Sequence, residues 1–273
     1  MIGVTLRAMG LIGVAAALSL AAIQSPMAAD SENLWPELAR DVFNGRPLVD
    51  GAGLIAIEMP ERAEDAGIVP VTLRATLPPG DTRVLKAFTL VIDENPAPVA
   101  ATFKVGTGLT MISTRVRVNA YTDVHAVAEL SDGGLYVIDT YVKASGGCSA
   151  PMAKNAEEAK ASLGVMRFRQ FAQAKTAPAS VSREAQIMIR HPNNSGLQRD
   201  QVSLLYIPLF IVRELRVWQG DQLVLEMDGG ISISEDPNIR FSYRPNSATT
   251  FRAEAIDTDG HIFKGEWPVE PAS

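Results

Sequence analysis

The chain has 273 residues, enough for two domains of ordinary size, and 47% hydrophobic residues supply material for a real core. Charged residues make up 21%, the net charge is -6 at pH 7, and no basic run occurs, so nucleic acid is excluded as a partner. A single cysteine, Cys148, excludes an internal disulfide.

Arg7 precedes an apolar, small-residue run over 9–23, which Gln24-Ser25-Pro26-Met27-Ala28-Ala29 closes. A basic start, a short apolar stretch and small residues at the end predict a secretory signal peptide over 1–29, cleaved near Ala29-Asp30, and a periplasmic mature protein. The run is shorter than the ~20 apolar residues that cross a bilayer, and charged residues recur every few positions later. No membrane association is expected after cleavage.

Residues 31–43 predict a helix, capped by Ser31 or Asn33, with Leu34, Leu38 and Val42 on one face. Asn44-Gly45-Arg46-Pro47 ends it. Strand-like runs follow at 54–57, 69–75, 84–92, 102–105, 112–118, 124–130 and 135–142. Pro78-Pro79-Gly80-Asp81, Asp93-Glu94-Asn95-Pro96 and Ser131-Asp132-Gly133-Gly134 read as turns between them. Seven strands at this spacing predict an antiparallel, immunoglobulin-like sandwich. In Arg115-Val116-Arg117-Val118 the alternation assigns both arginines to an exposed face and both valines to the core.

The texture changes at 143–149, where no strand pattern persists, and 155–163 is Ala- and Glu-rich and helix-prone, with Asn155 and Glu158 at capping-box spacing. Strands resume at 165–171, 185–190, 211–218, 222–227, 238–244, 250–256 and 263–268, with hairpin turns at Gly220-Asp221, Asp228-Gly229-Gly230 and 257–260. The fold class expected is all-β: two immunoglobulin-like antiparallel sandwiches, a short amino-terminal helix and a helical linker. The domains expected are a signal at 1–29, a first sandwich with its arm at 30–148, a linker at 149–163 and a second sandwich at 164–273.

The segment with chemical potential is Ala144-Ser145-Gly146-Gly147-Cys148-Ser149-Ala150-Pro151, where nothing is bulky. A lone cysteine in an exported chain is a buried inert thiol, a bridge between chains or a thiol that does chemistry. Gly146 and Gly147 loosen the backbone, so the expectation is a solvent-accessible thiol on a flexible arm. His125, His191 and His261 stand isolated in sequence and offer Cys148 no local base. An arm does not preorganise a nucleophile, which favours a covalent carrier, acted on by other proteins, over a catalyst. His191 reads as structural or as part of a domain interface, and His125 as an exposed or half-buried sheet residue. Trp35, Trp218 and Trp267 read as core or interface residues. Cys148, Met152 and Met166 could form a soft Cu(I) set, but Met166 fits core packing on its strand, and no metal or cofactor is expected.

Gly146-Gly147-Cys148 and its surroundings resemble SoxY of bacterial thiosulfate oxidation, as do Phe43-Asn44-Gly45-Arg46, Asp50-Gly51 and 55–65. Ile189-Arg190-His191-Pro192-Asn193-Asn194-Ser195-Gly196, Ile207-Pro208 and 251–260 resemble its partner SoxZ. In this order they are most similar to fused SoxYZ-like carriers associated with quinoprotein dehydrogenases. The resemblance implies a non-enzymatic carrier with a sulfur intermediate bound covalently on Cys148. It also implies sulfur-oxidation or quinoprotein dehydrogenase enzymes as partners. In the SoxY family the cysteine lies near a free carboxyl terminus; here Ser149-Ala150-Pro151 follows and the chain continues, so the arm is tethered at both ends. A non-covalent β-sandwich adaptor and a one-cysteine thiol enzyme are the alternative readings.

Overall fold

Alternation between polar and β-branched or aromatic residues in short runs dictates strands, and the computed structural model builds them into two sheets. It describes residues 33–106, 108–151, 156–171 and 182–270; the expected signal at 1–29, Met152 and Asn155 lie outside these. The first helix, α1 (Trp35–Val42), is shorter than expected. The expected cap Ser31 lies outside the described residues; the N-cap position is Leu34 rather than Asn33, and a proline in the first turn starts the helix.

Fifteen strands follow among the described residues: β1 (Leu48–Asp50), β2 (Ile55–Glu58), β3 (Val69–Ala75), β4 (Leu85–Ile92), β5 (Val99–Val105), β6 (Met111–Val116), β7 (Thr122–Leu130) and β8 (Leu135–Val142) form the first half. A 3-10 turn (Gly147–Ser149) and α2 (Ala156–Ala161) lead to the second half. That half contains β9 (Met166–Phe171), β10 (Arg183–Ile189), β11 (Val212–Gln219), β12 (Gln222–Gly229), β13 (Asn238–Tyr243), β14 (Thr250–Asp257) and β15 (Ile262–Pro268). The fold is all-β with a short amino-terminal helix. Strand β1 was not expected: its three residues are too few to show a period, and it is held only by parallel pairing with β8.

Among the described residues, the sheets run β1-β8-β7-β4-β5-β12-β11-β14-β15 and β2-β3-β6-β13-β10-β9. Each half contributes one portion of both sheets, and the halves join edge to edge. Antiparallel pairing places Phe103 of β5 opposite Met227 of β12, and Ile112 of β6 opposite Phe241 of β13. Edge strands that would each be an aggregation template are thereby paired within the chain. The residues from Leu34 onward form one unit, and one cluster of buried side chains runs from Val69 and Leu73 through Phe88 and Phe103 to Phe241 and Phe251. Each such side chain contributes about 1.5–3 kcal/mol of burial.

The Asp228-Gly229-Gly230 turn is corrected. Strand β12 runs through Gly229, and the chain then crosses to β13 in the other sheet, so this is no hairpin. Gly230 sits there because its backbone meets another: a Cβ would lie 2.7 Å from the Val99 carbonyl.

Helix α1 lies against the outer face of the larger sheet, where Ala39 and Phe43 bury against Val127 and Leu135. This explains a second correction. His125, on the same face as Val127, is buried rather than exposed, because α1 covers it: Trp35 stacks on its ring at 3.6 Å, and its Nε2 lies 3.1 Å from Asp93 Oδ2.

Candidate functional site

Strand β6 ends at Val116, and the next residues turn into the junction between the halves. The Arg117 amide donates to the Ser232 carbonyl at 2.7 Å, and Val118 donates to Ala66 at 2.9 Å. Arg117 is only 2% exposed, against the expectation of a solvent-facing side chain. The alternation that assigned it outward stops with the strand. Its Nη1 donates to the Gly147 carbonyl at 3.3 Å and its Nη2 to the Asn193 carbonyl at 3.2 Å. One buried guanidinium thus ties the glycine-cysteine segment of the first half to a loop of the second.

That segment is ordered by its neighbours. Gly146 donates to Asn119 at 2.8 Å and Gly147 to Val118 at 3.0 Å. Gly146 has φ +77°, in the left-handed region that glycine adopts without strain. Gly147 is needed for closeness: a Cβ there would lie 2.0 Å from the Ala66 carbonyl oxygen and 2.6 Å from that of Val118. The two glycines, expected to give a flexible arm, allow a tight fit instead.

Cys148 is fully buried, which corrects the expectation of a solvent-accessible thiol. Its own segment has no side chains to cover it, but segments distant in sequence do. The Ser195 hydroxyl donates to the Cys148 carbonyl, and Gln198 Nε2 donates to the Ala150 carbonyl at 2.9 Å. Gln198 also accepts from the Ser195 amide at 2.9 Å, so the loop braces itself. Burial pushes the Cys148 thiol up to about 11, with the Arg117 guanidinium drawing it partway down. At neutral pH roughly one thiol in ten thousand is then ionised. In this closed arrangement Cys148 is protonated and shielded.

His191 is buried beneath the same loop, which accords with its structural reading. Its Nδ1 accepts from the Asn193 amide at 3.1 Å, so the ring proton resides on Nε2, 3.6 Å from Asp257 Oδ2. Burial holds its pKa below the ordinary histidine range, partly offset by Asp257. Asn193 is fixed on both sides, donating to Ile233 at 3.2 Å and accepting from Val212 at 3.0 Å. Met166 packs against the core, so it is not drawn into a set with Cys148.

The structure therefore brings Gly146, Gly147 and Cys148 together with Arg117, Asn193, Ser195 and Gln198. Sequence reasoning missed the last four as site residues. His191, Asn193 and Ser195 did fall within the stretch that resembles SoxZ, a signal that could have placed that loop at the site.

Two family models match the chain in tandem: sulfur oxidation protein SoxY over residues 39–148 and sulphur oxidation protein SoxZ over residues 172–268. The first match ends on the single cysteine. No curated protein matches. Among solved structures, the sulfur carrier protein SoxY from Chlorobium limicola f thiosulfatophilum is 24% identical, over 41% of this chain and 91% of its own, with a TM-score of 0.35. A superoxide reductase (neelaredoxin) from Ignicoccus hospitalis is 15% identical, over 34% of this chain and 82% of its own, with a TM-score of 0.30.

Proposed function

We propose that this chain, which belongs to the fused SoxY–SoxZ proteins, is a periplasmic carrier that holds a sulfur intermediate covalently on Cys148 and presents it to sulfur-oxidation enzymes. The observation that carries the reading is that the SoxY match ends on the only cysteine in the chain. Export follows from the amino-terminal segment, whose basic start and short apolar run read as a signal. The chain itself is not an enzyme in this reading: its thiol is neither ionised nor reachable when closed, and the partner supplies the base and the electron acceptor.

Presentation requires release of the 146–150 segment. Five bonds hold it: Ser195 to Cys148, Gln198 to Ala150, Arg117 to Gly147, Gly147 to Val118, and Gly146 to Asn119. At about 1–1.5 kcal/mol each, release costs roughly 5–7.5 kcal/mol, so the open form is populated at between about one part in five thousand and one in three hundred thousand. A docking enzyme that binds only the open form draws on that population. The buried state guards the thiol, and any sulfur on it, against stray oxidants.

One observation favours a second reading. A fully buried thiol suits a non-covalent β-sandwich adaptor, for instance one docking a periplasmic quinoprotein dehydrogenase, in which Cys148 only packs. Replacement of the chromosomal copy by Cys148→Ser in the native host separates the two. The carrier reading predicts loss of sulfur-compound oxidation with normal protein levels, whereas the adaptor reading predicts growth and oxidation as in wild type.

A further inference from the structure

The outer face of the six-stranded sheet has a charge pattern at odds with the net charge of -6. Arg115 on β6, Arg167 on β9 and Arg190 just beyond β10 line one cavity of about 180 Å³, together with Asp236 and Asn238. The three arginines belong to separate elements, so the fold rather than local sequence gathers them.

Asp236 is the only carboxylate lining the cavity, and its capacity is already shared. Its Oδ2 pairs with Arg190 Nη1, its Oδ1 accepts from the His191 amide at 3.1 Å, and its backbone carbonyl accepts from Arg115 Nη2 at 3.0 Å. Arg115 Nε is buried with no hydrogen-bond partner. Arg167 pairs with Met188 through the backbone, but its side chain is exposed and makes no ion pair or hydrogen bond among the described residues. Three positive charges therefore face one negative charge in a concave space, and the donors in excess lack an acceptor. Like charges gathered in this way repel one another unless an anion joins them.

We propose that this cavity binds a small, doubly charged oxyanion of the sulfate and thiosulfate type. A guanidinium presents paired N–H donors that suit the oxygens of such an anion two at a time, and the charge of a dianion matches the local excess of two. The volume accommodates a tetrahedral anion with a few waters and is too small for a nucleotide. Asp236 competes with the anion for Arg190 and so weakens its binding. The proposal does not rest on the carrier reading, because no residue of the cavity touches Cys148.

Calorimetric titration of the full chain with sodium sulfate and with sodium thiosulfate, at ionic strength held constant with sodium chloride, tests this. Saturable one-site binding is expected. Arg167→Gln, on the surface and free of structural bonds, weakens it about fivefold or more. Asp236→Asn strengthens it severalfold, because the competing charge is gone while an oxygen remains for the His191 amide. Cys148→Ser leaves it unchanged, so the site stands or falls apart from the carrier. Heats no larger than those with chloride, or wild-type affinity in both Arg167→Gln and Arg115→Gln, would overturn the assignment. So would displacement of sulfate by a short polyglutamate peptide at lower concentration, which would make the cavity a docking point for an acidic protein segment.

Discussion

Two loops that meet at the junction invert the usual relation between composition and burial. Residues 144–151 contain no large side chain, yet Cys148 is fully buried. Residues 202–209 are rich in valine, leucine and tyrosine, yet Val202 is 92% exposed and Leu205 70%. They are connected through Gln198, whose side chain donates to Ala150 and whose carbonyl accepts from Ile207 at 2.9 Å. The difference is one of neighbours. The small segment fits where two backbones nearly touch, a place no bulky residue could occupy. The large one is a self-braced excursion, with Asp200 capping the amides of Val202 and Ser203 and Arg199 lying over Tyr206 at 4.6 Å.

The largest break in this comparison is expected at Gly147. Gly147→Ala drives a methyl group into the Ala66 and Val118 carbonyls and should cost ~3 kcal/mol or more, read as a fall in the denaturant midpoint. Gly146→Ala meets only Ser149 Oγ, at an ordinary contact distance of 4.0 Å, so backbone strain alone is expected to cost it ~1 kcal/mol. If the two variants lose equal stability, the close fit at 147 is wrong.

Next in size is Gln198→Ala, which leaves the Ala150 carbonyl and the Ser195 amide without their partner. A loss of about 2 kcal/mol is expected, with the native rate of Cys148 modification by a neutral thiol reagent rising roughly tenfold or more. An unchanged rate would mean that this loop does not hold the segment closed.

The pH dependence comes third. The folded thiol titrates near 11, above its ordinary value of 9.0, because burial disfavours the thiolate. The stability this confers is fully present below pH 9 and is lost as pH rises toward 11, by up to roughly 2 kcal/mol. Urea titrations across that window should show the decline in the wild type and a flatter profile in Cys148→Ser. His191 acts at the opposite end: its folded pKa is depressed, so the unfolded chain binds the extra proton and stability falls as pH drops below about 6.5. The smallest effect belongs to the exposed loop. Leu205→Ser should change stability by less than ~0.5 kcal/mol, since that side chain is already in water.

How far the sequence could be read follows the same division. Strands with several alternating residues, such as β7 and β14, and turns such as Asp132-Gly133 between β7 and β8, announce themselves locally. The tandem order of the two halves was legible in short motifs around Cys148 and His191. Burial at the junction was not, because it is decided by residues far apart along the chain. Cys148 is covered through Ser195 and Gln198, and His125 through Trp35, 90 residues earlier. Arg117 misled for a related reason: its alternation is that of β6, but the strand ends one residue before it. Continuity of both sheets across the halves depends on which edges pair, and no single segment encodes that.

The most direct measurement is the intact mass of the protein isolated from its native host without reductant. A carrier with a guarded thiol predicts a sulfur-containing increment located on Cys148, stable in the folded protein and removed by a thiol reductant after unfolding. An unmodified chain from cells actively oxidising sulfur compounds would contradict the account and leave Cys148 as a packing residue.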